Sequence, residues 1–273
     1  MTLRRMKLKI CVVGERAVGK TSLLQRYVRN HFSPDYDGTL GAYLYPVDVE
    51  VKSESGEIVQ AKVALFDLMG EHSIRETFRD AMFYGTHGVL AVCDIERPDT
   101  LYAVADWVRA VSLVTGGVPF HIAFNKVDRA SNTVIGASET HWLREQFPLT
   151  PTTLTSALTG EGVEAAIGGI IERSVEEILA VGRRRQVKRL VRQKILAFVV
   201  RRGLAGVSKN DLLVNFKELD YGELMEEVEN LARLDVLARE ESGPNSFRIK
   251  ATKRGQEIAA STLWEELVVD EHV

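Results

Sequence analysis

A glycine-rich segment near the N-terminus constrains the fold more than any other part of the chain. Residues 14–21 have the sequence GERAVGKT, which matches the pattern G-x-x-x-x-G-K-[ST]. An apolar, β-rich run at 8–13 precedes the segment, and a run typical of a helix follows at 22–28. Glycines let the backbone wrap around a phosphate, and the amide groups of a helix N-terminus attract its charge. The pattern therefore predicts a strand, loop and helix that together bind nucleotide phosphates.

Two side chains of this loop have roles that follow from phosphate chemistry. We expect Lys20 to reach the β- and γ-phosphates and the Thr21 hydroxyl to ligate Mg²⁺. The alternative is a glycine turn in front of a helix that binds no ligand. Against it, the strand, loop and helix occur in the order that a phosphate-binding unit requires. The other loop residues expected to contact nucleotide are Gly14, Arg16, Ala17, Val18, Gly19 and Ser22.

The length and composition of the chain indicate a globular protein of about two domains. Its 273 residues are 45% hydrophobic, and no apolar run approaches the ~20 residues of a membrane span. The basic N-terminus leads into the first predicted strand rather than a signal-peptide core, and the C-terminus has no cysteine for a prenyl group. Cys11 and Cys93 lie in apolar runs, as buried thiols of a reducing compartment do. We therefore expect a cytoplasmic protein with no transmembrane segment and no lipid anchor.

Strand and helix patterns alternate along residues 6–180. Two strand-like runs, 47–51 and 61–66, are separated by a polar segment with a glycine, which predicts a hairpin. Short apolar runs at 88–93 and 120–124 suit buried central strands, and a helical pattern lies between them. This alternation predicts an α/β fold, a doubly wound sheet with helices on both faces. Ligands of such sheets bind at the carboxyl ends of the strands.

Two further motifs directly follow predicted strands. The first, DLMG, supplies Asp67, whose carboxylate can hold Mg²⁺ through water, and Gly70, whose amide can contact a γ-phosphate. The second, NKVD, ends in Asp128, whose carboxylate can accept hydrogen bonds from both N1–H and the exocyclic amine of guanine. Adenine lacks this pair of donors, so the motif predicts specificity for guanine. The motif's other expected nucleotide contacts are Asn125 and Lys126.

With these motifs in this order, residues 6–180 resemble the small GTPases of the Ras and Rab type. The resemblance implies a P-loop GTPase domain that binds GTP and GDP with Mg²⁺ and hydrolyses GTP slowly. It also implies a molecular switch that interacts with protein effectors or regulators.

The resemblance assigns roles to four more residues. It implies that the ring of Phe32 packs on guanine, and that Thr39 completes the Mg²⁺ shell and contacts the γ-phosphate. The alternatives are a plain core position for Phe32 and a turn position for Thr39. Ser156 and Ala157 resemble the last base-binding loop of the family, in which the Ala157 amide would meet the guanine carbonyl.

The chain departs from the family pattern where hydrolysis is controlled. The family usually has a glutamine after the second-switch glycine, where it orients the attacking water, but this chain has Glu71 followed by His72. An ionised carboxylate is repelled by a triphosphate and cannot donate a hydrogen bond. We therefore expect slow hydrolysis. Glu71 would occupy the position beside the attacking water, or His72 would do so if the second switch were shifted by one residue. Lys20 and Thr39 complete the set of catalytic candidates.

Two other departures lie beside the expected nucleotide. Arg16 occupies a loop position where the family often has glycine. Its side chain could exclude a partner's arginine finger, partly replace one, or point into solvent. Leu158 stands where the family usually has a lysine, so we expect weaker stacking over that side of the base.

A shift in charge marks a second unit. The chain has a net charge of −3, yet residues 181–202 contain nine basic side chains and no acidic one. We therefore expect a GTPase domain at 1–181 and a second domain at 182–273 whose first helix is basic. The patterns of this second domain predict three helices, a hairpin and a closing helix, at 194–200, 212–216, 221–234, 236–250 and from 252 onward.

Residues 186–262 resemble the winged helix-turn-helix of prokaryotic transcription regulators, a small α+β fold. The third helix, which such proteins place in the major groove, is acidic through Glu223, Glu226, Glu227 and Glu229. DNA affinity depends on basic side chains, so this helix favours an interaction module for proteins. The alternative is a GTP-responsive, DNA-binding transcription regulator that uses the basic first helix and wing. The basic side chains of the wing are Arg248, Lys250, Lys253 and Arg254.

Overall fold

The computed structural model describes residues 3–32, 42–68, 79–132, 137–243 and 246–261. The chain divides into two compact units, Met1–Leu179 and Ala180–Val273. Each unit has its own hydrophobic core.

The first unit is built on a mixed sheet with strand order β2-β3-β1-β4-β5-β6. Among the strands that the structure describes in this sheet, only β2 runs antiparallel to its neighbour, and it forms a hairpin with β3. The described strands are β1 (Leu3–Val13), β2 (Ala42–Lys52), β3 (Ile58–Leu68), β4 (Gly88–Asp94), β5 (Phe120–Asn125) and β6 (Thr152–Thr155). The described helices that follow them are α1 (Lys20–Arg29), α2 (Arg79–Phe83), α3 (Pro98–Thr115), α4 (Ala137–Gln146) and α5 (Val163–Arg202).

The central strands carry two cores, one on each face of the sheet, because successive side chains of a strand point to opposite faces. In β1, Ile10 and Val12 pack with α1 and α5, whereas Cys11 packs with α2, α3 and α4. β4 is buried along its whole length. The predicted α/β sheet with helices on both faces is confirmed.

Helix α5 differs from the sequence prediction in its length. It runs without interruption through the charge boundary at 181/182, and the helix predicted at 194–200 is its last part. The basic run marks a change in composition between the two units. Its arginine, lysine, leucine and glutamine residues nevertheless all favour a helical backbone. A change of charge therefore gave no information about where the helix ends.

The second unit contains a small antiparallel sheet with strand order β7-β9-β8. Its core includes Ile195, Leu224 and Ile249. The Ser208 hydroxyl caps α6 by accepting the Asp211 amide at 3.2 Å, and the Asp211 carboxylate accepts the Ser208 amide in return. The elements of this unit after α5 are β7 (Val207–Ser208), α6 (Lys209–Asn215), α7 (Tyr221–Arg233), β8 (Leu237–Gly243), β9 (Ser246–Ala251) and α8 (Lys253–Ala260).

Candidate functional site

Two glycines of the loop between β1 and α1 have backbone conformations that other residues rarely adopt. Gly14 has φ +138° and Gly19 has φ +100°. A Cβ on Gly14 would lie 2.2 Å from the Val92 carbonyl oxygen, and a Cβ on Gly19 would lie 2.2 Å from Asn125 Nδ2. Glycine is therefore required at both positions, and the second brings the loop against the NKVD motif.

The ammonium group of Lys20 lies inside the loop. Lys20 is 6% exposed and donates hydrogen bonds to the carbonyls of Gly14 at 2.8 Å and Glu15 at 2.9 Å. Burial lowers the pKa of Lys20 to about 8, although the carboxylates of Asp67 and Glu15 act in the opposite direction. A positive charge enclosed in this way is suited to a polyanionic ligand.

The two described residues predicted to hold Mg²⁺ are in contact. The Thr21 hydroxyl, in the first turn of α1, donates to Asp67 Oδ2 at 2.5 Å. Asp67 lies near the end of β3 and is fully buried. A hydroxyl and a carboxylate are oxygen donors, which hard cations such as Mg²⁺ prefer, so the donor set fits this ion. The third predicted ligand, Thr39, lies outside the described residues.

Asn125 connects the phosphate loop to the base-binding loop after β6. Its Nδ2 donates to the Val18 carbonyl at 2.8 Å. Its Oδ1 accepts from Thr155 Oγ1 at 3.2 Å and from the Ala157 amide at 3.3 Å. Asn125 is buried, so its three hydrogen bonds fix the spacing of the two loops. This contact therefore holds the Ala157 amide, which was predicted to face the guanine carbonyl, beside the NKVD motif.

The other residues of the NKVD motif have their own partners. Asp128 is exposed to solvent, and its Oδ1 accepts a hydrogen bond of 2.5 Å from the Ser156 hydroxyl. Lys126 has a left-handed backbone, φ +72°, and its ammonium group donates to Asp94 Oδ2 at 2.6 Å. The motif and the base-binding loop are brought together because they follow β5 and β6, which are adjacent parallel strands.

The remaining predicted residues occupy varied positions. Phe32 is half-buried and packs against the core on the α1 face of the sheet. The side chains of Arg16 and Ala17 are exposed, and Leu158 is 49% exposed. Val18 is buried, and Ser22 is half-buried in α1. The predicted residues that lie outside the described ranges are Thr39, Gly70, Glu71 and His72.

Sequence motifs gave no indication of an arginine beside the base-binding loop. Arg26 of α1 donates from Nε to the Ala157 carbonyl at 2.8 Å and from Nη2 to the Leu158 carbonyl at 2.5 Å. These two carbonyls lie more than a hundred positions along the chain from Arg26, whereas its Nη1 donates to the nearby Asn30. No residue pattern around Arg26 or Leu158 could have signalled this contact.

Comparison with known proteins identifies the family. A model of the Ras family matches residues 9–176. The chain belongs to the Ras family. This Ras-family protein is 28% identical to Ras-related protein Rab-18 of Lymnaea stagnalis over 171 residues, 62% of this chain and 81% of the relative. It is 33% identical to Ras-related protein RabC of Dictyostelium discoideum over 147 residues, 51% and 69% of the two chains. It is 28% identical to GTP-binding nuclear protein GSP1 of Encephalitozoon cuniculi over 129 residues, 47% and 58%.

Membership of the family confirms three of the sequence predictions. This Ras-family protein is a GTPase, it binds GTP and GDP, and its nucleotide is bound with Mg²⁺. The family match ends at residue 176 and does not extend over the second unit. Among the described residues, no helix combines the length and the apolar character needed to cross a membrane. The cytoplasmic location stays a prediction.

Proposed function

We propose that this Ras-family protein is a slowly hydrolysing guanine-nucleotide switch whose second unit is a winged-helix module that binds another protein. The observation that supports a single nucleotide site is the double role of Asn125. Its amide nitrogen contacts the phosphate loop at Val18, and its amide oxygen contacts the base-binding loop at Ala157. GTP would order the switch segments through its γ-phosphate, and hydrolysis would release them, which changes the surface seen by effectors and regulators.

The proposed roles follow the chemistry of each group. Lys20 would neutralise the β- and γ-phosphates, and Thr21 and Asp67 would hold Mg²⁺ directly and through water. Asp128 would accept the two donors of guanine, and the Ala157 amide would donate to the guanine carbonyl. The residues proposed to line the phosphates and the rest of the base are Gly14, Arg16, Ala17, Val18, Gly19, Ser22, Phe32, Thr39, Gly70, Asn125, Lys126 and Ser156.

Nucleotide titration tests the base assignment. With Mg²⁺ present, we expect the wild-type protein to bind GTP far more tightly than ATP or XTP. Asp128→Asn should shift the preference toward XTP, because an amide exchanges an acceptor for a donor opposite the base. Equal affinity of the wild-type protein for ATP and GTP would contradict guanine specificity.

Hydrolysis tests the assignment of the water-orienting residue. Without a glutamine after Gly70, we propose single-turnover hydrolysis at or below ~10⁻⁴ s⁻¹, the rate of unaided small GTPases. Glu71→Gln should accelerate it, because a neutral amide can both donate to and accept from water. If instead Glu71→Gln leaves the rate unchanged and His72→Ala abolishes it, His72 is the residue at the water. A pH–rate inflection near ~6.5 would then accompany it.

The second unit is proposed as a winged-helix module because α5, α6 and α7 precede the β8–β9 hairpin in the order of that fold. Two basic groups of its wing already have partners within the unit. The Lys250 ammonium lies 2.8 Å from Glu240, and the Arg248 guanidinium donates to the Ala205 carbonyl at 2.7 Å. Because duplex DNA is bound through basic side chains that contact phosphate, these internal contacts favour a protein partner.

Binding to random duplex DNA at increasing salt distinguishes the two functions considered for the second unit, protein binding and DNA binding. The full-length GTP-bound protein is expected to show no salt-sensitive binding to DNA. A steep fall of DNA affinity with salt would instead support the alternative, a GTP-responsive DNA-binding regulator.

A further inference from the structure

An arginine outside the nucleotide-binding motifs contacts the backbone of the phosphate loop. Arg97 lies in the turn between β4 and α3, and its Nη1 donates to the Arg16 carbonyl at 2.9 Å. Its Nη2 donates to Asp99 Oδ2 at 3.1 Å, so the guanidinium is held between the loop and the start of α3. The contact joins parts of the chain that are 81 positions apart.

The turn that carries Arg97 is fixed by its own hydrogen bonds. The Arg97 amide donates to the Asp94 carbonyl at 2.9 Å, and the Arg97 carbonyl accepts from the Thr100 hydroxyl at 2.6 Å. Thr100 is fully buried. Pro98 follows Arg97 and disfavours a helical backbone at it, which agrees with the extended φ of −132°. The guanidinium therefore projects from a rigid support.

The same turn also holds the guanine motif. Asp94 is 1% exposed, and its Oδ2 accepts from the Lys126 ammonium at 2.6 Å. Its Oδ1 accepts the Glu96 amide at 3.0 Å, so the carboxylate is oriented by the turn itself. One short segment, 94–97, thus contacts the phosphate loop through Arg97 and the base motif through Asp94.

The part of the phosphate loop that Arg97 holds has a strained backbone. Ala17 follows Arg16 and has φ +63°, in the left-handed region that residues with a Cβ seldom adopt. Such a conformation persists only where the surroundings restrain it. The Arg97 hydrogen bond is made to the peptide between Arg16 and Ala17, so it is one of the contacts that restrain this conformation.

We propose that Arg97 is a positioning residue that holds the phosphate loop in its nucleotide-binding conformation and thereby slows nucleotide release. It would act through the Arg16 carbonyl, with which it forms a hydrogen bond. This inference rests on the proposed assignment of the loop to the nucleotide phosphates. It adds a specific link between the phosphate loop and the β4–α3 turn that no sequence motif contains.

The test measures dissociation of a fluorescent GDP from the full-length protein with Mg²⁺. Loss of a hydrogen bond from a charged donor should make release about tenfold faster in Arg97→Ala. Arg97→Lys keeps the positive charge and can donate toward one of the two partners, so its rate of GDP release should be intermediate. The matched control is Arg109→Ala, which removes an exposed arginine of α3 with a similar partner, Asp106 at 3.2 Å. Its release rate should equal that of the wild type.

A second variant, Ala17→Gly, tests whether Arg97 acts by restraining the strained backbone of the loop. Ala17→Gly removes the strain at φ +63°, so adding Arg97→Ala to it should accelerate release less than Arg97→Ala does in the wild type. Equal release from wild type and Arg97→Ala would overturn the inference, and so would an equal effect in both backgrounds. A wild-type protein that fails to bind GDP would contradict the proposed site itself.

Discussion

The Ser156 hydroxyl donates a hydrogen bond of 2.5 Å to the Asp128 carboxylate. The two residues come from the loops after β6 and β5, and Ser156 is fully buried while Asp128 is exposed. The same hydroxyl accepts the Thr159 amide at 3.0 Å. Ser156 therefore fixes the orientation of the carboxylate proposed to recognise guanine and also closes its own loop.

Ser156→Ala should weaken binding of GDP. It removes a hydrogen bond to a charged group, which corresponds to about a tenfold rise in Kd, as measured by equilibrium titration with Mg²⁺. The control is Ser138→Ala, because Ser138 is an exposed serine of α4 with no part in the site. If both variants bind GDP as the wild type does, the serine does not orient Asp128.

Arg26→Ala should shorten the lifetime of bound GDP, because the carbonyls of Ala157 and Leu158 lose their two guanidinium hydrogen bonds. We expect a roughly tenfold faster release in stopped-flow measurements. Arg29→Ala, at an exposed arginine in the last turn of the same helix, is the matched control and should have no effect. Equal rates for the two variants would show that α1 does not hold the base-binding loop.

His121 should make the first unit less stable in mild acid. It is 5% exposed, its Nε2 lies 2.7 Å from Thr153 Oγ1, and burial, with a smaller contribution from the charge of Arg173, lowers its pKa to about 4. An unfolded histidine binds a proton near pH ~6.5, so the unfolded state binds more protons between that pH and about 4. Stability is therefore lost as the pH falls through this window, by about 1 kcal/mol between pH 7 and 5.5.

Urea unfolding at the two pH values, followed by tryptophan fluorescence, measures this loss, because Trp107 is buried in the first unit. His121→Gln does not titrate and should lower the pH dependence by that amount. His141→Gln replaces an exposed histidine of α4 and should leave the dependence unchanged. An unaltered dependence in His121→Gln would refute the assignment.

Two neighbouring glutamates of α7 should differ sharply in their contribution to the second unit. The Glu227 carboxylate forms a buried ion pair with Arg192, whereas Glu226 lies 3.5 Å from Lys188 at the surface. Glu227→Gln should cost about 3 kcal/mol, because it leaves a buried guanidinium poorly compensated. Glu226→Gln should cost less than about 1 kcal/mol. Urea unfolding of the full chain, followed by far-UV circular dichroism, distinguishes them, and similar losses would contradict the prediction.

Local patterns predicted the strands β1 to β5, because each gives a run of apolar or alternating residues, but they did not predict β6 or β7. The motif residues, such as Gly19 and Lys20, were proposed because each motif requires particular residue types at a fixed spacing. The contacts of Arg26 and Arg97 could not be predicted, since each joins a side chain to a distant carbonyl and any residue type supplies a carbonyl. The full length of α5 was missed for a different reason. Its basic segment changes the charge of the helix surface but contains no signal that ends a helix.

The two cores of the first unit share their strands, since Ile10 and Cys11 are neighbours in β1 and face opposite sides of the sheet. Neither core can therefore lose a central strand without exposing the other. Backbone amides of β1, β4 and β5 should exchange with deuterium only through one common opening of the whole sheet. A nucleotide bound only to the folded protein would then slow the exchange of all these amides by the same factor, one plus the ratio of its free concentration to its Kd.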